Sequence, residues 1–277
     1  MNRPQKQKNR PILSFCKYFI DPVQRKDFME ILKRNIIAIT VACTIFSCSP
    51  SDEGKNEPPD DPEPSVQLPI SGATSDLLET KLQQAGLVSI RSLDSLCLVD
   101  LKYSTTDNFV GVDVYGSLDK CYLQPEVAGM LATAQQGLNL RQPGYRLLIF
   151  DCARPLSVQQ ILWDTLQKPE DLKHLYVADP KEGSIHNYGS AVDLSIVDET
   201  GVPLDMGTEY DHFGELAYPS KEEELVNSGV LTQHQVENRL LLREVMAGAG
   251  FTPINTEWWH FNAYSRQRAA ELFEMIE

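Results

Sequence analysis

Basic residues are scarce once the first stretch of the chain is set aside. The 277 residues hold 25 Lys and Arg against 39 Asp and Glu, a formal charge of −14. Nine of the basic residues and only three acidic ones fall in residues 1–47, which leaves −20 on the remainder. A body that acidic has no electrostatic footprint for nucleic acid or for an anionic membrane surface, and no nucleic-acid partner is expected. Long apolar runs are missing too. Asn35 to Phe46 is apolar but too short for a comfortable transmembrane helix. No internal repeat is present, which excludes solenoid and propeller architectures. Cysteines number only six and histidines five, so any site built from them draws on few candidates.

The short apolar run has a clear reading. Lys33 and Arg34 precede it, and Ser47 and Cys48 follow it, the layout of a secretory signal. Ile45 to Cys48 resembles a bacterial lipobox, in which the cysteine is lipidated and becomes the mature N-terminus. Met29 lies at a natural distance before the signal and is the expected start of translation. Ser49 to Pro64 is acidic and rich in proline, cannot bury a core, and reads as an extended tether. Three regions follow: a signal segment over 1–47, a lipidated cysteine with its tether over 48–74, and one domain over 75–277. The chain is then expected to be an exported lipoprotein of the periplasm or cell envelope, touching the membrane only through its lipid anchor. Processing would remove Cys16 and Cys43 and acylate Cys48. Cys97, Cys121 and Cys152 remain, enough for at most one internal disulfide, and their spacing demands none. Cys152 reads as a small buried residue.

Within the domain, helical spacing runs from Asp76 to Gln84, from Pro125 to Leu138, from about Ser157 to Gln167, from Gln233 to Ala247, and from Arg266 to Glu277. Cys97 to Leu101, Tyr145 to Phe150, Val192 to Val197, Phe251 to Ile254 and Trp258 to Phe261 read as strands. Pro169 to Glu182 and Pro203 to Asp211 read as loops. Short strands among several helices predict an α+β domain with one main antiparallel sheet flanked by helices.

The chemistry concentrates in two stretches. In Ser184 to Ile196, His186 and Asp193 stand seven residues apart, ahead of a run in which Val192, Leu194 and Ile196 alternate with Asp193, Ser195 and Val197. Period two reads as a half-buried strand that sends the apolar residues to the core and Asp193 to the opposite face. Far downstream, Glu257 precedes His260 by three residues. A catalytic zinc takes three ligands of the His, Asp, Glu or Cys type and keeps one position open for water. His186, Asp193 and His260 supply such a set, one zinc per chain, and leave Glu257 as a base for the water.

The pattern Ser-x-His-x-x-Gly-x-Ala-x-Asp, followed by Glu-Trp-Trp-His, resembles the D-alanyl-D-alanine dipeptidases, the VanX-like branch of the zinc D,D-peptidases. Lys102 to Gly111, Asp151 to Pro155, Asp205 to Asp211 and Asn238 to Arg243 are also similar to that branch, so the resemblance covers about residues 75–277. It implies the Hedgehog/D,D-peptidase-like zinc fold and hydrolysis of D-alanyl-D-alanine or related D,D-dipeptides. It further implies Arg154 as the stabiliser of the oxyanion, and Tyr103, Tyr115, Ser184 and Asp211 as substrate contacts. An aspartate such as Asp211 suits the free ammonium of a dipeptide through a charge-assisted hydrogen bond. His174, His212 and His234 are not expected to be ligands; His212 adjoins Asp211, a place expected near the pocket mouth. The best-known members of the family act in the cytoplasm; a lipoprotein would instead take dipeptides released from peptidoglycan. Two other readings remain open: a zinc D,D-carboxypeptidase that trims wall peptides, and a non-catalytic zinc-stabilised binding module, against which Glu257 and Arg154 argue.

Overall fold

The computed structural model describes residues 73–277 apart from Ser117; the signal segment, Cys48 and the tether through residue 72 lie outside the described residues. Helix α1 (Ala73–Gln84) leads to strand β1 (Val88–Ser89), which pairs with β3 (Tyr122–Leu123) as a small separate ribbon. Between them lies β2 (Leu98–Val99). Helix α2 (Pro125–Arg141) starts on a proline, whose missing N–H belongs to a first turn that leaves its donors unpaired anyway. Val127, Leu131, Ala134 and Leu138 fall three and four residues apart and are fully buried. Gln135 lies on the same buried face. It accepts from the Leu147 N–H at 2.7 Å and donates to the Tyr145 carbonyl at 3.1 Å, which pins α2 to strand β4 (Arg146–Asp151).

Helix α3 (Leu156–Thr165), strand β5 (Ala191–Val197), helices α4 (Glu222–Asn227) and α5 (Gln233–Gly248), strands β6 (Thr252–Pro253) and β7 (His260–Asn262) and helix α6 (Arg266–Leu272) complete the domain. The main sheet has the order β2-β4-β5-β7-β6. It is antiparallel, as the pattern predicts, except at its edge, where β2 and β4 run parallel. That exception follows from α2, which supplies the crossover that two parallel strands need.

Two further expectations are corrected. Strand β5 is not half-buried: all seven of its residues are buried. Its apolar side chains join the core with α2 and α5. The loop 203–211 covers the other face, bonded to the strand by the Leu204 N–H on the Ile196 carbonyl at 2.9 Å. The last helix ends at Leu272 rather than at the last residue. Beyond it the chain runs back to the domain. The Ile276 N–H donates to the Asn187 carbonyl at 2.8 Å, and the Ile276 carbonyl accepts the Leu156 N–H at 2.7 Å, one of the donors that the start of α3 leaves open.

Cys121 and Cys152 form a disulfide, and Cys97 stays reduced and buried. Nothing in the spacing demanded the bond. It forms because the ribbon passes beside the end of β4, where the Ala153 N–H donates to the Tyr122 carbonyl at 3.0 Å. The link spans 31 residues, so replacing both cysteines by serine is expected to lower the unfolding free energy by about 3–4 kcal/mol. Urea unfolding of the oxidised protein and the double variant measures this; a difference below about 1 kcal/mol would mean that the cross-link does not restrict the unfolded chain as this loop length requires.

Candidate metal and active site

Sheet register lays out the first part of the site. Asp193 on β5 stands opposite His260 on β7, and also opposite Asp151 on β4, where an irregularity between Ile149 and Asp151 shifts the pairing. Directly opposed residues on antiparallel strands have their Cβ atoms about 4.5–5.5 Å apart. Three neighbouring strands therefore place two carboxylates and an imidazole in one row.

His186 comes from a short 3-10 turn, Ile185–Tyr188, capped by Ser184 at one end and Gly189 at the other. Gly189 has φ +63°, and a Cβ there would meet Leu87 at 2.8 Å, so the turn requires glycine. The turn is stitched to the segment after β4. Arg154 N–H donates to the His186 carbonyl at 3.0 Å, and Asn187 Nδ2 donates to the Arg154 carbonyl at 2.7 Å.

The two stretches meet in space. His260 Nδ1 lies 2.9 Å from Asp193 Oδ1 and 3.2 Å from His186 Nε2, and His186 Nε2 lies 3.4 Å from Asp193 Oδ1. A tetrahedral ion with bonds near 2.0–2.1 Å has ligand–ligand edges of about 3.3 Å, so this donor set fits a zinc-sized cation. The outward ring nitrogens agree. His186 Nδ1–H donates to the Cys152 carbonyl at 2.7 Å and His260 Nε2–H to Asn262 Oδ1 at 2.9 Å, so each ring, once neutral, points a lone pair at the cluster for a metal. Tyr210 O–H donates to Asp193 Oδ2 at 2.9 Å and holds the other carboxylate oxygen away from the cluster.

Burial alone would raise the Asp193 carboxyl, but the charge and hydrogen bonds of His186, with those of His260, outweigh it and hold the group well below the usual range. Burial likewise works against a charged His260, yet the Asp193 hydrogen bond and charge, with Glu257 adding, lift it to about 9. The pocket thus favours positive charge at the place where a cation would bind. Glu257 is half-buried, with Oε2 3.9 Å from His260 Nδ1. Burial raises its carboxyl above the ordinary value; His260 opposes this and Asp193 reinforces it.

Arg154 is buried beside the cluster. Its Nε and Nη2 both donate to Asp151 Oδ2, at 2.9 and 2.6 Å, and Nη1 donates to Gln159 Oε1 at 3.0 Å. A guanidinium has five N–H groups. These bonds take three and leave one on each Nη, with Nη2 3.9 Å from Asp193 Oδ2.

Tyr103, Ser184 and Asp211 line a cavity of about 230 Å³ together with Arg154, Glu257 and the three candidate ligands. Tyr103 O–H donates to Asp211 Oδ2 at 3.0 Å. Asp211 has φ +59°, the left-handed region that aspartate tolerates better than most residues. Burial and then the Asp193 charge push its carboxyl well above the usual range. Tyr115, by contrast, does not line the cavity. It is 2% exposed, and its hydroxyl donates to Asp151 Oδ1 at 2.7 Å, so it stands behind Arg154 and fixes the arginine's partner. His174, His212 and His234 are exposed and outside the cluster.

Sequence reasoning missed the supporting residues Asp151, Gln159, Tyr210 and Asn262. Two left a signal. Asp151 precedes Arg154 by three residues, and Asn262 follows His260 by two, on the same face of a strand. It also missed the aromatic wall at the mouth. Phe109, Tyr176 and Phe213 come from three different loops and pack edge to face, with ring centres 5.1 Å and 5.0 Å apart.

The family model described as D-ala-D-ala dipeptidase matches residues 83–276. The D-alanyl-D-alanine dipeptidase of Escherichia coli (strain K12) is 35% identical over 164 residues, which cover 59% of this chain and 77% of the relative. Enzymes of the same name from Synechocystis and from Enterococcus faecalis are each 28% identical. They match 55% and 58% of this chain, and 73% and 83% of their own lengths.

Proposed function

Since the chain belongs to the D-Ala-D-Ala dipeptidase family and is a hydrolase of that dipeptide, we propose that it acts with one zinc ion held by His186, Asp193 and His260. The observation that carries this reading is the convergence of His186 Nε2, Asp193 Oδ1 and His260 Nδ1 beside the Glu257 carboxylate. When bound, zinc supplies a Lewis acid that brings the pKa of water down toward ~7.

The chain's own residues do the rest. Glu257 takes a proton from the attacking water and passes one to the leaving amine. Arg154 turns its two free N–H groups to the scissile carbonyl oxygen as negative charge develops there. Asp151 and Gln159 have already fixed that guanidinium, so it need not reorganise during the reaction. Asp211, steadied by the Tyr103 hydroxyl, receives the substrate ammonium. An acylated amine offers no charge to that carboxylate, and this limits the enzyme to free dipeptides.

The domain is further proposed to work in the cell envelope, tethered through an acylated Cys48. The signal-like pattern before Cys48 supports this, as does the Cys121–Cys152 disulfide, a bond that persists in oxidising compartments. Dipeptides released from peptidoglycan are then the substrate at hand.

The test is hydrolysis by the full-length chain of D-Ala-D-Ala and of N-acetyl-D-Ala-D-Ala, with and without chelator. Cleavage of the free dipeptide is expected, abolished by chelation and restored by zinc, with the acetylated substrate at least ~100-fold poorer in kcat/KM because it leaves Asp211 unpaired. Preference for the acetylated substrate would instead mean a carboxypeptidase, and turnover unaffected by chelation would remove the metal from the mechanism.

A further inference from the structure

Two arginines line the catalytic cavity, and they differ in what holds them. The charge of Arg154 is already matched by Asp151, which is fully buried. Arg266, at the start of α6, has no carboxylate partner among the described residues. Its Nη1 donates to the carbonyls of Glu182 at 3.0 Å and Gly183 at 2.7 Å. Both are neutral acceptors, so the guanidinium is positioned without being neutralised, and the N–H groups on Nε and Nη2 stay open. Arg266 is exposed, but the carbonyls it bonds are held in turn. Gly183 has φ +73°, and a Cβ there would meet Met275 at 2.8 Å, so the segment that carries the two carbonyls is packed against the C-terminal tail.

The cavity therefore has charge at two places. Asp211 meets Tyr103, the ring on which Arg154 stacks. Arg266 grips the two residues just before Ser184, at the start of the turn that carries His186. One wall holds an acid awaiting a cation, and another holds a cation lacking an anion. A free dipeptide is a zwitterion with its charges at opposite ends and the scissile bond between them. We propose that Arg266 is a specificity-determining residue that binds the C-terminal carboxylate of the dipeptide, through the donors its two carbonyl contacts leave open. This rests on the dipeptidase reading given above, with the ammonium at Asp211. A carboxylate matches the planar fork of a guanidinium, and the contact is strengthened by full charge on both partners. Arg266 also borders the open polar groove beside the cavity, lined by Lys181, Glu182 and Thr256, so the carboxylate end of the substrate would face the exit for the released amino acid.

The experiment is a cycle of variants against substrates in the full-length, zinc-loaded chain. D-Ala-D-Ala is compared with its C-terminal carboxamide, which is the same size and uncharged at that end, in the natural protein, Arg266→Ala and Arg266→Lys. The natural protein should prefer the carboxylate by about 10–100-fold in kcat/KM, mostly through KM. Arg266→Ala should lose that factor on the dipeptide and almost nothing on the carboxamide, and Arg266→Lys should recover part of it. A merely structural Arg266, holding the loop before Ser184, would cost both substrates equally, and that result overturns the proposal. So does a natural protein that treats the two substrates alike. Failure to hydrolyse either substrate by the natural protein would instead strike the dipeptidase reading itself, and this contact with it.

Discussion

Changing Glu257 to glutamine is expected to lower kcat on D-Ala-D-Ala by about 100- to 10,000-fold, the range in which general-base catalysis falls. KM and bound metal should hardly change. Glutamine keeps the size and one acceptor oxygen but cannot take a proton. Glu257 is not one of the three converging ligand groups, and its nearest approach to His260 Nδ1 is 3.9 Å, so the metal set survives the change. Burial raises this carboxyl above its ordinary value, which makes it a stronger base than an exposed glutamate. Single-turnover rates with zinc content measured in parallel provide the check. A fall of less than about 10-fold with full zinc would assign the proton transfer to another group.

The second large effect is at Arg154. Arg154→Lys should lower kcat by about 100- to 1000-fold, as loss of an oxyanion donor does. Lysine is the informative replacement. Asp151 is fully buried, and an alanine at 154 would leave that carboxylate without a counter-charge and cost about 3–5 kcal/mol of stability, confusing folding with catalysis. Lysine keeps the charge but loses the fork. It cannot bond Asp151 Oδ2 through two nitrogens and Gln159 through a third while still presenting N–H groups to the cavity. The expected signature is a kcat defect with an almost unchanged thermal midpoint. A large drop in midpoint with nearly full kcat would make Arg154 a structural residue.

The outline of the domain could be read from periodicity because its long elements are strongly patterned. Helices α2 and α5 and strands β4 and β5 fall close to their expected positions. The second face of β5 was not legible. Alternation shows which residues are apolar, but it cannot show that a polar row will be roofed by a distant loop that brings Tyr210. The parallel pairing of β2 was hidden for a similar reason, since it depends on how α2 packs. The disulfide depends on the ribbon lying against the end of β4, and no spacing reports that. The site itself divides along the same line. His186, Asp193, Glu257 and His260 could be singled out because each is a chemically unusual residue in a short local pattern. Asp151, Gln159 and Tyr210 act through contacts formed only when separate elements meet. Tyr115 shows the converse: resemblance marks it as a substrate contact, but its hydroxyl is turned to Asp151 and it does not line the cavity.

The run of chain after α6 has a practical side. Ile276 bonds through its backbone both to Asn187, in the turn that carries His186, and to the first residue of α3. Exopeptidase trimming past this residue, or a short affinity tag that pulls it away, would leave the Asn187 carbonyl and the Leu156 N–H without partners. It would also slacken the turn that carries His186, far away in sequence. Purification handles therefore belong behind a long, flexible spacer, and an unexplained loss of activity in a preparation is a reason to check residues 273–277 by mass spectrometry.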